Sequence, residues 1–416
     1  FFWAMKWADV LRGDNAQLKP QATVAITRWL RRQMAENVPF DRFAREILTV
    51  RGNTRSETPA AVYSVMKSPE DLARSMSQLF LGVRIECAQC HHHPFEKWGQ
   101  KDYFALAGFF TGVKRDGRSG GSQKITDGPG SDLKHPRSGL LVPTAGLGSA
   151  PITLEDPRDR RRALSDWMTA PENPFFARTI VNRLWAHYFG RGLVEPIDDH
   201  RATNPASNEK LLTALASEFR RQKYDIKALT RTLLASRAYQ LSSSTLPDNE
   251  LDDQNFSHAT KKALSAEVLL DAICQATGVP EQFNGWPTGS RAIEIWDNRL
   301  PSYFFVIFGR PQRNSVCECE RGNEPSISQA LHLMNSPESF QKIRHRDGRA
   351  AGLASEKLSD EQVINELFLA TLSRVATDGE RKLLLAAFRE SSGNRREAVE
   401  DILWTLLNTK EFLYNH

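Results

Sequence analysis

Between Lys114 and Asp156 glycine and proline crowd together so densely that no helix can cross the segment: Gly117, Gly120, Gly121, Gly128, Pro129, Gly130, Pro136, Gly139, Pro143, Gly146 and Gly148 all fall within it. Glycine gives up backbone entropy in a helix interior, and proline removes a hydrogen-bond donor and clashes with the preceding turn. Helical periodicity dominates on both sides. The sequence therefore predicts a mainly α fold with two helical domains, residues 1–113 and 157–416. The segment 114–156 joins them irregularly, with short strands expected at 123–126 and 139–142.

Several helices can be placed from their end signals and stripes. Amphipathic runs cover 24–34 and 40–48. Ser68-Pro69-Glu70-Asp71 is a helix start, with a capping hydroxyl, a proline in the first turn and acids at the positive dipole end. Further helices are expected at 102–110, 175–189, 208–222, 225–237 and 265–277. Ser359 with Gln362, and Thr377 with Glu380, read as capping boxes. Val399, Ile402, Leu403, Leu406 and Leu407 form the apolar stripe of the last long helix.

The chain has 416 residues, 40% of them hydrophobic, enough for a sizeable core. Its net charge of +5 is small and spread out, which argues against a nucleic-acid partner. The densest cationic cluster, Arg158, Arg160, Arg161 and Arg162, fits a solvated face or salt-bridge partners better than a groove. No apolar run reaches transmembrane length. The chain opens on Phe1-Phe2-Trp3 without an initiator methionine, and is expected to lack its true N-terminus.

Cys87-Ala88-Gln89-Cys90-His91 is the attachment pattern of a c-type haem. Each thiol forms a thioether with a vinyl group, and the adjacent imidazole reaches iron. His93, on the same short segment, cannot also straddle the ring as second axial ligand; Met76, His135, His187 and His200 are the candidates. The same region allows other metals: Cys87, Cys90, His91 and His93 suit zinc. Cys317-Glu318-Cys319 adds two thiols, so Cys87, Cys90, Cys317 and Cys319 form an alternative four-thiol site for zinc or an iron–sulfur cluster. A Cys-x-Cys pair can also close on itself as a disulfide. Cys274, in an apolar helical run, reads as a small buried hydrophobe.

Two further constellations carry polar chemistry. Asp198, Asp199 and His200 lie in a loop between Pro196 and Pro205, where paired carboxylates would serve a hydrolase or, equally, fix structure through ion pairs. Arg310 and Arg313 would hold an anion or pair with Glu318 or Glu320. The irregular stretch 285–322 is where loop-borne function is expected.

The motifs LGVRIECAQCHHHPFEKWGQKDYFALAGFF (81–110), NPFFARTIVNRLWAHYFGRGLVEPIDDHRATNP (173–205), FGRPQRNSVCECERGNEPSISQALHLMN (308–335) and LLNTKEFLYNH (406–416) resemble, in this order, a paired-domain family of planctomycetes and related bacteria. In it a cytochrome-like domain precedes a planctomycete-specific domain, both largely of unknown function. The resemblance implies large exported proteins, often with a separate haem-bearing domain near the N-terminus, and a link to polysaccharide breakdown. The family pattern commonly has an acidic or amide residue where this chain has His92, so His92 is expected to be dispensable, while His91 and His93 match. The leading expectation is a periplasmic or otherwise extracytoplasmic redox protein with haem c at Cys87, Cys90 and His91. Its partner would be a redox protein or a polysaccharide-derived substrate. A metal-stabilised interaction or substrate-binding module, and a carboxylate-dependent hydrolase, are the alternatives.

Overall fold

A computed structural model describes residues 1–117, 121–322, 325–391 and 393–415. Gly120 and His416, named above, lie outside them. The described chain is mainly α-helical with a few short strands, as the periodicity predicts. It divides into two compact units. The first comprises Phe1–Thr260, Trp296–Arg299 and Gln312–Glu320, and the second Lys261–Ile295, Leu300–Pro311 and Arg321–His416.

In the first unit, aromatic side chains from successive helices meet in one core. Trp7, Trp29, Phe40, Phe43, Phe80 and Phe176 are all buried there. The expected helix at 24–34 is the body of Asn15–Ala35; its first turn is set apart by a kink at Lys19 (φ 67°), just before Pro20. Phe40–Thr49 and Phe176–Phe189 follow the predicted stripes.

The segment 114–156 lies in this unit and contributes most of its strands. Gln123–Asp127 pairs antiparallel with both Val113–Gly117 and Gly52–Asn53, and Leu133–Lys134 pairs with Leu141–Val142. The strand at 113–117 has no alternating apolar pattern of its own; Ile125 on its partner is the buried anchor. Three of the four arginines in the cluster form ion pairs. Arg161 is buried against Asp127 at 2.6 Å, Arg160 meets Asp132 at 3.0 Å, and Arg158 meets Asp156 at 2.7 Å.

In the second unit, Ala266–Thr277, Asp360–Leu372 and Arg395–Leu407 enclose a core of Leu269, Ile273, Val363, Phe368, Val399, Ile402, Leu403 and Leu406. Both capping boxes form: Ser359 Oγ accepts the Gln362 N–H, and Thr377 Oγ1 accepts that of Glu380. Cys274 is half-buried at the edge of this core rather than inside it, and burial raises its thiol pKa.

Candidate functional site

The approach to the cysteine motif is built from the Ser68 cap, whose hydroxyl accepts the Asp71 N–H at 3.0 Å. The helix Pro69–Met76 follows, continues as a wider turn over Ser77–Leu81, and ends at Gly82 in the left-handed region. A short turn, Glu86–Gln89, then presents the motif. Ala88 is buried and pins the turn down, while Cys87 and Cys90 are exposed free thiols on either side of it. The N–H groups of Cys90 and His91 both point to the Cys87 carbonyl at 3.4 Å.

His91 Nδ1 lies 2.6 Å from the His92 carbonyl oxygen. A carbonyl only accepts, so Nδ1 carries a proton in this contact and Nε2 is the nitrogen left to face a ligand. That is the tautomer a metal-ligating histidine uses when its other nitrogen is held by backbone. His93 is engaged differently: its Nδ1 accepts the Phe95 N–H at 3.3 Å, and its own N–H donates to Trp98 O at 2.8 Å. Among the described residues, no three His, Cys, Asp or Glu side chains converge as a set that could hold a metal ion. A thioether-linked haem does not need such a set, because it takes only the imidazole to iron. Two accessible thiols and one correctly protonated imidazole fit it.

Of the other axial candidates, Met76 is buried in the core. His187 packs against Phe2 and Trp3, and His135 accepts backbone N–H groups of Arg137 and Ser138.

The loop 190–205 is fastened by Asn182, whose Nδ2 donates to Val194 O (2.8 Å) and Ile197 O (3.1 Å) and whose Oδ1 accepts the Val194 N–H. Asp198 is buried and spends both oxygens: Oδ1 on Arg84, Oδ2 on Gln78 Nε2 at 2.7 Å. Asp199 pairs with Arg201 at 3.1 Å. The His200 N–H donates to Gly82 O at 2.7 Å, and its ring lies against Gly82. Its Nε2 is buried with no hydrogen-bond partner among the described residues. Burial, then the charges of Arg178 and Arg183, lower its pKa to about 4. Asp198, Asp199 and His200 thus serve as ties and a neutral packed ring, an arrangement that offers no free carboxylate beside a base.

A cleft of about 760 Å³ opens between this loop and the turn that follows the motif. Phe95, Trp98, Phe175, Arg178, His200 and Asn204 line parts of it; Cys87, Cys90 and His91 do not. Phe95 is 58% exposed, with the Arg201 guanidinium 5.2 Å from its ring.

Cys317 and Cys319 are joined to each other as a disulfide, and in that form neither is a thiolate ligand for a shared four-sulfur site. The ion pairs expected between Arg310 or Arg313 and Glu318 or Glu320 are not those that form. Arg313 is buried on Asp9 at 3.0 Å, Arg310 lies 3.2 Å from Glu267, and Glu318 pairs with Arg183. Glu320 instead accepts the N–H groups of Asn314 and Ser315. Sequence spacing favours near neighbours, whereas the fold offers these guanidiniums buried carboxylates far along the chain. Arg84 and Gln78 were missed for the same reason: nothing local marks them as partners of Asp198.

The fold and the site define a mainly helical chain with an exposed Cys-x-x-Cys-His turn at the end of a capped helix. Residues 160–388, more than half of the chain, match PSD1, a protein of unknown function (DUF1553), and residues 2–115 match PSCyt2, a protein of unknown function (DUF1549). The chain belongs to this paired-domain family, PSCyt2 followed by PSD1. No curated protein and no solved structure matches it. Among the described residues, no helix is long and apolar enough to cross a membrane.

Proposed function

We propose that the chain is an extracytoplasmic redox protein that holds haem c through Cys87 and Cys90, with His91 Nε2 as the axial ligand. The observation that carries this reading is the motif turn itself. Buried Ala88 fixes it, both thiols face solvent, and the His92 carbonyl holds the His91 proton on the nitrogen that does not ligate. A haem bound there would supply one-electron chemistry, with potential and reactivity set by the second axial position. This chain's own part is to orient the imidazole and present the two thiols accessibly. The neighbouring cleft suits a polysaccharide-derived substrate, since exposed Phe95 offers a ring face along its wall. A redox partner protein would dock over the same exposed turn.

The test is expression with haem-maturation machinery. The reading expects a coloured protein whose Soret absorption survives acid–acetone extraction, because thioethers are covalent. Colourless protein carrying about one zinc per chain would favour the metal-stabilised module instead.

A further inference from the structure

We infer that Cys317–Cys319 is a redox-active disulfide that accepts two electrons from an external dithiol, a function independent of the haem reading. The pair closes a loop with one residue between the cysteines. So short a loop gains little from restricting the unfolded chain, which separates this bond from disulfides that staple a fold. The segment around it has other ties: ion pairs of Arg183 with Glu318 and of Arg313 with Asp9, and hydrogen bonds from the Asn314 and Ser315 N–H groups to Glu320.

The two sulfurs are not equivalent. Cys319 is exposed and Cys317 half-buried. Cys317 Sγ accepts the Cys319 N–H at 3.2 Å and faces Arg84 Nη2 at 3.9 Å. A thiolate leaving at Cys317 is therefore met by a backbone donor and a guanidinium, and exchange is faster when the departing sulfur is the better stabilised anion. Accessibility and leaving-group stabilisation select the same direction, attack at Cys319 with Cys317 departing.

The step balances without further reagents. A thiolate of the dithiol attacks Cys319 Sγ, the Cys317–Cys319 bond breaks, and its electron pair leaves on Cys317. The second thiolate of the dithiol then attacks its own sulfur in the mixed disulfide, and that electron pair leaves on Cys319. The dithiol is oxidised to a disulfide, and its two protons end on Cys317 and Cys319. The substrate class is a flexible vicinal dithiol, such as a Cys-x-x-Cys pair in an extended polypeptide.

The full-length protein is treated with limiting reduced glutathione, quenched by alkylation and analysed by peptide mass spectrometry. Glutathione is expected on Cys319 and the alkyl group on Cys317, with the reverse isomer at least roughly tenfold rarer. In parallel, the oxidised protein is mixed with a synthetic Cys-x-x-Cys peptide. One peptide disulfide should form per chain, and the Cys317→Ser and Cys319→Ser variants, checked for folding by circular dichroism, should form none. Glutathione mainly on Cys317, a bond that excess glutathione leaves closed, or Cys317 and Cys319 themselves alkylated before any reductant is added would each overturn the inference; alkylation of the free thiols Cys87 and Cys90 at that stage is expected.

Discussion

Arg84 Nε donates to Asp198 Oδ1 at 3.0 Å, and the carboxylate it meets is 1% exposed. This pair ties the approach to Cys87 to the loop that carries His200, with Gln78 on the second oxygen. A buried carboxylate whose two oxygens are both committed is a fastening. Asp198→Ala leaves the guanidinium and the Gln78 amide without their acceptor. Arg84 is about one-third exposed, which moderates the loss, so we expect about 2–3 kcal/mol, below the range for fully buried pairs. Urea denaturation of the wild type and variant measures it; an unchanged midpoint would count against the fastening role.

His200 should make the stability of the first unit pH-dependent. Its pKa falls to about 4 from an ordinary value of 6.5, through burial first and the charges of Arg178 and Arg183 second, with Asp198 and Glu209 opposing. Between these values the unfolded chain binds the proton and the folded chain does not, so stability falls as pH drops from about 6.5 towards 4. The contribution reaches up to about 3 kcal/mol at the acid end. His200→Gln should remove that part of the slope in a series of denaturation curves, while the response below pH 4, where carboxylates titrate, should persist.

Gly82 cannot be replaced cheaply. Its φ of +63° lies in the left-handed region, and an added Cβ would stand 2.4 Å from His200 Cδ2 and 2.8 Å from Thr179 Oγ1. Conformational strain and collision add, so Gly82→Ala should cost about 2–4 kcal/mol. Its carbonyl also accepts the His200 N–H, so protection of that amide in hydrogen exchange should fall in the variant.

Local chemistry was legible in the sequence wherever a few neighbouring residues decide it. The Ser68 cap, the boxes at Ser359 and Thr377 and the stripe from Val399 to Leu407 all form, because hydroxyl, amide and apolar periodicity act within one or two turns. The strand at 123–126 was readable for the same reason. What escaped was long-range. Arg313 was expected to pair with a nearby glutamate and is buried on Asp9, about three hundred residues away in the chain. No spacing rule reaches that far. The Cys-x-x-Cys-His turn could be read as a motif, but the exposure of its thiols on either side of buried Ala88 could not.

In the second unit, Glu267 is the buried counter-charge to two guanidiniums. Arg321 Nη1 donates to it at 2.7 Å and Arg310 lies at 3.2 Å, all three side chains almost fully enclosed. Neutralising the carboxylate removes the anion that these two buried guanidiniums share. Glu267→Gln should therefore destabilise this unit by about 3–5 kcal/mol, seen by calorimetry as a transition moved to lower temperature. Raising the salt concentration should restore little of it, since ions do not reach the pair.

The haem reading separates the duties of its three residues, and this gives its sharpest variant test. Thioether formation uses the sulfurs alone, whereas His91 acts on iron through Nε2. In matured protein, His91→Ala should keep covalent colour through acid–acetone extraction but shift the Soret band and open an axial position to added imidazole. The Cys87→Ala, Cys90→Ala double variant should lose its haem on extraction. His92→Asn, which keeps the backbone carbonyl that accepts the His91 proton, should leave both properties as they are. If His91→Ala leaves the spectrum unaltered, iron is held elsewhere and the assignment of its ligand falls.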